Sequence, residues 1–296
     1  MIAKPFIKWA GGKSQLLADI QKKYPAGLGK SINRYCEPFV GGGAVLFDVL
    51  SKYQMEDVLI NDVNRELINA YIQIKHHVDD LIDELDILQT AFWAMSTEER
   101  KTFYYDKRDK FNCIKMNGDE RANLEKAALF IFLNRTCFNG LFRVNGKGLF
   151  NVPIGSYKRP AICDADNLKR VSCLLQNVTI KCGDYKECLP FVNRNTFVYI
   201  DPPYRPITQT SSFTAYAETA FNDKEQIELG EFVDNLHLVG AKIVVSNSDP
   251  KNTNQHDDFF DELYSPYKIE RVSAKRMINC NGDSRGKVSE LLISNC

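Results

Sequence analysis

Asp201-Pro202-Pro203-Tyr204 is the stretch whose residue types point most directly to chemistry. It follows "NTFVYI", a short apolar and β-branched run that predicts a fully buried strand. A carboxylate at the carboxyl end of such a strand points into the ligand crevice of an α/β sheet. Two prolines stiffen the turn and leave their carbonyls without a competing local N–H group. These acceptors beside the flat Tyr204 ring suit the exocyclic amine of a planar base; a plain strand end with a proline turn is the alternative.

A glycine triplet, Gly41 to Gly43, follows the short predicted strand in "RYCEPFV". Alone it indicates only a tight turn. Asp62 ends the next predicted strand, about twenty residues further on, where an acid accepts hydrogen bonds from ribose hydroxyls in nucleotide-binding sheets. The pair therefore indicates a nucleoside site.

The opening segment "KWAGGKS" resembles the end of a phosphate-binding P-loop. That motif needs a glycine five positions before Gly12, where this chain has Ile7, so the P-loop interpretation fails. A Gly-Gly turn ahead of a predicted helix over residues 13–23 would still expose unpaired amides to an anion. A purely structural helix start is the alternative.

These residues need a sheet to position them, and the chain predicts one. Alternating strands and helices at both ends indicate an α/β fold, with "KIERVSAKRM" and "KVSELLIS" as a terminal strand pair. Between them, apolar residues every three or four positions predict one long amphipathic helix from residue 67 to 88 and further helices after it. Asn145-Gly146 marks a hairpin. We expect a sheet domain over 1–65 and 164–296, interrupted by a mostly helical insertion over 66–163.

The net charge of zero hides segregated charges. Residues 54–100 carry eleven acids and three bases, as a solvated helix face would. Residues 127–163 carry five bases and no acid. A long segment with only positive charge predicts a polyanionic partner.

Several classes are disfavoured. The N-terminus has no signal-peptide pattern and no window reaches a membrane-spanning length, so a cytoplasmic protein is expected. The four histidines and nine cysteines keep no metal-ligand spacing. The H-x-E and P-C-x-x-C signatures of zinc deaminases do not occur, nor does the Pro-Cys dipeptide typical of a cytosine-C5 methyltransferase.

With "KWAGGK" at the front, "EPFVGGG" and "DPPY" occur in an order that resembles the S-adenosylmethionine-dependent adenine-N6 DNA methyltransferases, and within them the Dam-type, GATC-recognising group. "LNRTCFNGLFRVNGKGLFNVPIGSYKRP" resembles the target-recognition hairpin of that group, and "NGDSRGKVSELL" its terminal strand pair. The resemblance spans essentially the whole chain. It implies a Rossmann-like methyltransferase sheet with an antiparallel terminal strand pair and an inserted, mostly helical target-recognition domain with a β-hairpin.

The resemblance also implies roles for individual residues. The catalytic set is Asp201, Pro202, Pro203 and Tyr204. The residues for S-adenosylmethionine are Trp9, Ala10, Gly11, Gly12, Lys13, Phe39, Gly41, Gly43, Asp62, Asp184, Tyr185 and Asp201. The residues for double-stranded DNA are Lys8, Arg135, Asn139, Leu141, Arg143, Asn145, Pro153, Tyr157 and Lys158.

The implied activity is methyl transfer to adenine N6 by base flipping, without a metal, in a protein that can act as a monomer. Ser156 stands where the family often has a basic residue, which puts one phosphate contact in doubt. Cytosine-N4 methylation and a catalytically inactive DNA-binding relative are the alternatives.

Overall fold

The computed structural model describes residues 2–118, 120–205, 221–275 and 287–296. Its strands are β1 (Arg34–Glu37), β2 (Asp57–Asp62), β3 (Val178–Cys182), β4 (Thr196–Ile200), β5 (Lys242–Ser248), β6 (Lys268–Lys275) and β7 (Lys287–Ser294). Its α-helices are α1 (Leu17–Gln21), α2 (Ala44–Lys52), α3 (Arg65–His76), α4 (Val78–Ala94), α5 (Thr97–Asn117), α6 (Asn123–Thr136), α7 (Ala165–Leu175), α8 (Asp223–Leu238) and α9 (Phe259–Leu263). None of the helices in these ranges combines the length and apolar content that a membrane crossing needs.

The chain divides into two compact units that each combine separate segments. The first contains residues 1–12, 41–51 and 62–182, and the second contains residues 13–40, 52–61 and 183–296. The expected insertion of a target-recognition domain over residues 66–163 stays a prediction.

The second unit is built on a mixed sheet. Strand β1 pairs in parallel with β2 and with β4, and β4 pairs in parallel with β5. Strand β7 runs antiparallel to both β5 and β6. The expected α/β fold with an antiparallel terminal pair is therefore confirmed; the Gly-rich turn between the last two strands, residues 276–286, lies outside the described residues.

Burial explains why these segments are strands. All five residues of β4 are buried, and apolar side chains of β4, β5 and β7 join one core with the inner face of α8. A strand covered on both faces needs a nearly continuous apolar run, which is what "TFVYI" supplies.

The first unit is mainly helical. Helices α3 and α4 both pack against α6 and α7, and α5 packs against α6. The long helix expected over residues 67–88 is wrong in one respect, because it ends at His76 and restarts at Val78. His77 between them has φ −137° and ψ 40°, outside the helical region. The apolar spacing continues through this break, so periodicity alone does not detect it.

Two further expectations change in detail. The helix expected over 13–23 is a 3₁₀ turn at Lys13–Gln15 followed by the short α1. After Gln21 the chain continues in turns to Tyr24, which precedes Pro25 and is therefore disfavoured in the helical region. The hairpin forms only isolated bridges, Val144 with Phe150 and Cys137 with Ile154, rather than continuous strands.

Candidate active site and nucleic-acid interface

Asp201 begins the turn that leaves β4, in the second unit. The preceding strand is parallel to β1, with Cys36 opposite Val198, so the carboxyl ends of both strands lie at one edge of the sheet. This arrangement places Phe39, two residues beyond β1, at the same sheet edge as Asp201. Pro202 is buried and Tyr204 is half-buried.

Four polar side chains meet at this turn. Lys13 Nζ lies 2.9 Å from Asp201 Oδ1 and donates to the Tyr204 hydroxyl at 2.6 Å. The Tyr204 hydroxyl in turn donates to Glu290 Oε2 at 2.8 Å, and Lys13 Nζ lies 3.5 Å from the same oxygen. The Lys13 side chain is 3% exposed. One ammonium group is therefore shared by two carboxylates and a phenol.

Burial and charge oppose each other here. Burial raises the pKa of Asp201, while the Lys13 ammonium lowers it and the Glu290 charge raises it. Burial would lower the pKa of Lys13, but the neighbouring Asp201, Tyr199 and Glu290 raise it well above its usual value. The pKa of Tyr204 is likewise raised by burial and by Asp201 and Glu290. Lys13 stays charged and Tyr204 stays a neutral donor at ordinary pH.

A layer of buried side chains fixes the turn from behind. Ser246 Oγ donates to Asp201 Oδ1 at 3.1 Å and lies 2.9 Å from the Tyr199 hydroxyl. Gln226 Nε2 donates to the Pro203 carbonyl at 3.1 Å, and Asn247 Nδ2 donates to Gln226 Oε1 at 3.1 Å. The Pro203 carbonyl is therefore held by α8, while the Asp201 carboxylate keeps further acceptor capacity.

Phe39 and Tyr185 stand together in the second unit, with ring centroids 5.1 Å apart and planes 30° apart. Asp184 caps the 3₁₀ turn that carries Tyr185 by accepting from the Lys186 amide at 2.8 Å. Asn61 joins the neighbouring turns, since its Nδ2 donates to the carbonyls of Pro38 and Gly183. Two aromatic rings therefore lie side by side on turns that side-chain hydrogen bonds hold together.

Asp62 and the glycine turn come together in the first unit. The Gly41 amide donates to Asp62 Oδ2 and the Asn64 amide to Asp62 Oδ1, both at 3.0 Å. Burial raises the pKa of Asp62, and these amides oppose that shift. The Val63 amide also hydrogen-bonds this carboxylate, which leaves Asp62 capacity for one further donor such as a ligand hydroxyl.

Glycine is required at two points of this turn. Gly41 and Gly43 have φ of +46° and +73°, in the left-handed region that favours glycine. A Cβ at Gly41 would lie 2.8 Å from Trp9 Cδ1, and one at Gly43 would lie 2.5 Å from the Tyr71 hydroxyl. The indole of Trp9 thus packs directly on the backbone of the turn.

The Ala10-Gly11-Gly12 segment forms a tight turn after Trp9. The Gly12 amide donates to the Trp9 carbonyl at 3.1 Å. The expectation that the amides of this turn are unpaired is therefore wrong for Gly12. Gly11 adopts φ +74°, and space for a side chain is open there.

Lys8 is held in place by a buried asparagine of α6. Asn134 Oδ1 accepts from the Lys8 amide and its Nδ2 donates to the Lys8 carbonyl, both at 2.8 Å. The same Nδ2 donates to the Gly140 carbonyl at 2.9 Å. The Lys8 ammonium lies 4.2 Å from the Tyr157 ring centroid and donates to its hydroxyl. Two predicted DNA-binding residues, Lys8 and Tyr157, are therefore brought together.

The predicted recognition loop follows directly. Asn139 adopts φ +55°, and the exposed Arg143 donates from Nε to Asn151 Oδ1 at 2.8 Å. Asn145 Oδ1 accepts from the amides of Lys147 and Leu149, so its side chain shapes the turn, and Gly148 rather than Gly146 takes the positive φ. Leu141 is half-buried, and Pro153 and Lys158 are exposed.

Arg135 lies apart from these exposed residues. It is half-buried, and its Nε and Nη2 both donate to the Phe6 carbonyl. Burial lowers the pKa of its guanidinium group. Its visible role is to tie α6 to the N-terminal segment, and its DNA contact stays a prediction.

Sequence reasoning missed several residues. Glu290 and Gln226 support Tyr204 and Pro203, and Asn134 clamps Lys8. A carboxylate inside the apolar run "KVSELLIS" was the available signal for Glu290; the two amides gave none. Val63 beside Asp62 and Phe138 beside Asn139 are exposed apolar side chains, 70% and 52% exposed.

Metal ligands are not grouped in the part of the chain that the structure describes: no three His, Cys, Asp or Glu side chains there stand close enough to hold an ion.

Comparison with known proteins identifies the family of this chain. A sequence profile for the D12 class N6 adenine-specific DNA methyltransferases matches residues 9–278. The chain is 50% identical to the type II methyltransferase M.MjaIII of Methanocaldococcus jannaschii over 297 residues, covering 100% of both chains. It is 36% identical to the type II methyltransferase M1.LlaDCHI of Lactococcus lactis subsp. cremoris, covering 99% of this chain and 95% of that one. It is 33% identical to the DNA adenine methylase of Haemophilus influenzae, covering 98% and 92%.

The protein therefore belongs to the D12 class of N6 adenine-specific DNA methyltransferases. It is an enzyme of the methyltransferase class, and DNA is the substrate that this family membership implies.

Proposed function

We propose that this enzyme transfers the methyl group of S-adenosyl-L-methionine to N6 of adenine in double-stranded DNA, at GATC. One observation supports this chemistry. Asp201 directly follows a buried parallel strand, its carboxylate is paired with Lys13, and the same Lys13 bonds the Tyr204 hydroxyl.

The residues fit S-adenosylmethionine as methyl donor. Asp62 keeps acceptor capacity for a ribose hydroxyl, and Gly41 and Gly43 form a turn in which a Cβ would collide with packed side chains. Phe39 and Tyr185 offer ring faces for an adenine. When bound, the cofactor supplies an electrophilic methyl group on a sulfonium centre.

The enzyme's own groups act on the target amine. Asp201 and the Pro202 carbonyl accept hydrogen bonds from the two N6 hydrogens. These bonds turn the nitrogen lone pair away from the ring and toward the methyl group. Tyr204 stacks on the extruded adenine, whose removal from the duplex costs a few kcal/mol. Alignment of the two reactants supplies much of the acceleration. Asp201 is also the nearest acceptor for the proton that the methylated nitrogen releases.

Site recognition is assigned to the segment around Lys8 and the loop that Asn134 holds beside it. Arg143 is exposed and retains its terminal guanidinium nitrogens for bidentate contact with guanine O6 and N7. Leu141 and Pro153 offer apolar contacts for a thymine methyl group. Lys158 and Lys147 are exposed cations for the phosphate backbone. This loop falls within residues 66–163, which we propose as the target-recognition insertion.

GATC is supported by the resemblance of the loop to that of GATC-reading enzymes, and relatives named DNA adenine methylase support adenine as the target base. The test is methylation of unmethylated plasmid DNA by the purified protein with S-adenosylmethionine, followed by sequencing of modified bases at single-base resolution. We expect N6-methyladenine in GATC and nowhere else. N4-methylcytosine would identify the alternative enzyme, and unmodified DNA would identify an inactive relative.

A further inference from the structure

Glu290 takes no part in the proposed methyl transfer, yet its neighbours in the sheet fix its position. It lies in β7 opposite Ser248 of β5 and Val272 of β6, so hydrogen-bonded strands hold its backbone on both sides. The residues that follow, Leu291 and Leu292, are fully buried. A carboxylate in such a strand loses hydration, and that loss is destabilising unless a partner compensates for it.

The partners of Glu290 are both active-site residues. Its Oε2 accepts the Tyr204 hydroxyl hydrogen at 2.8 Å and lies 3.5 Å from Lys13 Nζ. Lys13 Nζ also lies 2.6 Å from the Tyr204 hydroxyl and 4.7 Å from the centre of its ring. The Glu290 side chain is only 16% exposed, so these contacts are weakly screened by solvent.

We propose that Glu290 is a positioning residue for methyl transfer: its carboxylate fixes the Tyr204 ring through the phenolic hydroxyl and shares the Lys13 ammonium with Asp201. The proposal rests on the function proposed above and names a residue that acts through two others.

The first consequence concerns Tyr204. A tyrosine ring anchored only at its Cβ turns about its side-chain bonds, whereas a second anchor at the hydroxyl determines the plane of the ring. Stacking with a planar base depends on that plane. Preorganisation of this kind is what makes an aligned reaction fast.

The second consequence concerns Asp201. An ammonium group bound wholly to Asp201 would weaken the carboxylate as an acceptor for an N6 hydrogen, because it draws negative charge toward Oδ1. Because Glu290 attracts the same ammonium, Lys13 is held between two carboxylates. Asp201 therefore stays a stronger acceptor than it would be in an isolated ion pair.

The experiment uses two near-isosteric changes and their combination. Glu290→Gln keeps an acceptor near Tyr204 but removes the charge beside Lys13, and Tyr204→Phe keeps the ring but removes its hydroxyl. Glu270→Gln is the matched control, since Glu270 is a glutamate of the neighbouring strand that pairs with Lys23 and Lys268. The single-turnover rate of methyl transfer to a saturating GATC duplex is measured, with duplex affinity and Tm.

We expect each single change to lower the single-turnover rate by about tenfold or more, with duplex affinity changed by less than about threefold. The double variant should be slower by less than the product of the two single losses, because both changes weaken the one hydrogen bond between Tyr204 and Glu290. Glu270→Gln should keep the wild-type rate. Equal rates in Glu290→Gln and wild type would overturn the proposal, as would rate losses that multiply in the double variant.

The pH profile separates positioning from mere support. Among the residues that the structure describes, the titratable groups that face Asp201 are Lys13, Tyr199, Tyr204 and Glu290, and the Glu290 charge raises the pKa of Asp201. Transfer needs Asp201 ionised, so removal of the Glu290 charge should move the acid limb of the rate profile to lower pH. Tyr204→Phe keeps that charge and should leave the limb in place. An unmoved limb in Glu290→Gln would contradict the shared-ammonium arrangement.

A third readout does not depend on methyl transfer. Thermal unfolding of the two single variants and the double variant should give non-additive changes in Tm, because the two groups are bonded to each other. Additive changes would refute the contact. A wild-type protein that methylates no DNA would instead refute the proposed function, whatever the unfolding result.

Discussion

At the scale of single residues, the candidate site depends on one buried ammonium group that three side chains share. Lys13 neutralises Asp201, bonds the Tyr204 hydroxyl and approaches Glu290, and burial strengthens each of these interactions. A change at one member therefore alters the others, and single-residue predictions must state which partner is left behind.

Asp201→Asn should remove most of the activity. The amide keeps the shape but loses the charge, and its NH₂ group cannot accept an N6 hydrogen. We expect the transfer rate to fall by about 10²- to 10³-fold or more, while affinity for a GATC duplex stays within a few-fold. Asp19→Asn is the control, because Asp19 pairs with the exposed Lys22 and lies outside the proposed site. Retained transfer in Asp201→Asn would contradict the assigned role.

Arg143→Ala should weaken base discrimination. A bidentate arginine–guanine contact contributes about 1–3 kcal/mol of discrimination, so the ratio of kcat/KM between GATC and a site with that guanine replaced should fall accordingly. Lys147→Ala, an exposed cation of the same loop, should lower affinity for both sites equally. An unchanged ratio in Arg143→Ala would remove it from base reading.

At the scale of elements, turns and clamps place these residues. The β1 and β4 strands end side by side because they are parallel and in register, which is why Phe39 and Asp201 share one sheet edge. In the first unit, the Asn134 side chain of α6 hydrogen-bonds both the amide and the carbonyl of Lys8 and also the carbonyl of Gly140. Side-chain amides therefore position these loops together with the helices and strands.

Gly43→Ala should destabilise the turn after β1. The position has φ +73° and a new Cβ would meet the Tyr71 hydroxyl at 2.5 Å. We expect a loss of about 1–3 kcal/mol in the free energy of unfolding and weaker binding of S-adenosylmethionine in calorimetry. Gly146→Ala is the control, since its Cβ would meet nothing within 4 Å. Equal stability of the two variants would show that the turn relaxes freely.

Asn134→Ala should misplace Lys8. Its removal leaves the Lys8 amide and two carbonyls without partners, a loss of about 1–3 kcal/mol in unfolding free energy. The base position at which discrimination falls should be the one affected by Lys8→Ala. Asn112→Ala is the control, because Asn112 clamps the Phe150 backbone in the same way. Identical discrimination profiles in Asn112→Ala and Asn134→Ala would contradict a specific role for Asn134.

At the scale of the whole molecule, net charge says little and charge distribution says more. The chain is neutral overall, yet residues 127–163 hold five bases and no acid, and four of these bases are exposed. DNA affinity that depends on such a segment falls with salt because bound counterions are released.

Lys158→Gln should lower affinity for all duplex sequences alike. Loss of one phosphate contact should reduce the slope of log affinity against log salt by about 1. Lys30→Gln removes an exposed lysine outside the acid-free segment and should leave the slope unchanged. The measurement is a salt titration of duplex binding by fluorescence anisotropy. Equal slopes in Lys158→Gln and wild type would exclude Lys158 from the phosphate interface.

The sequence by itself determined the class of fold and indicated the turn after β4 as the candidate site. The apolar run before Asp201 and the glycine triplet before Asp62 are local patterns, and buried strands and tight turns follow from local patterns. Only the tertiary structure decided that Glu290 reaches Tyr204, that Asn134 clamps Lys8 and that the helix expected over 67–88 breaks at His77. These features join residues distant in the chain or depend on one backbone angle, and neither leaves a periodic trace in sequence.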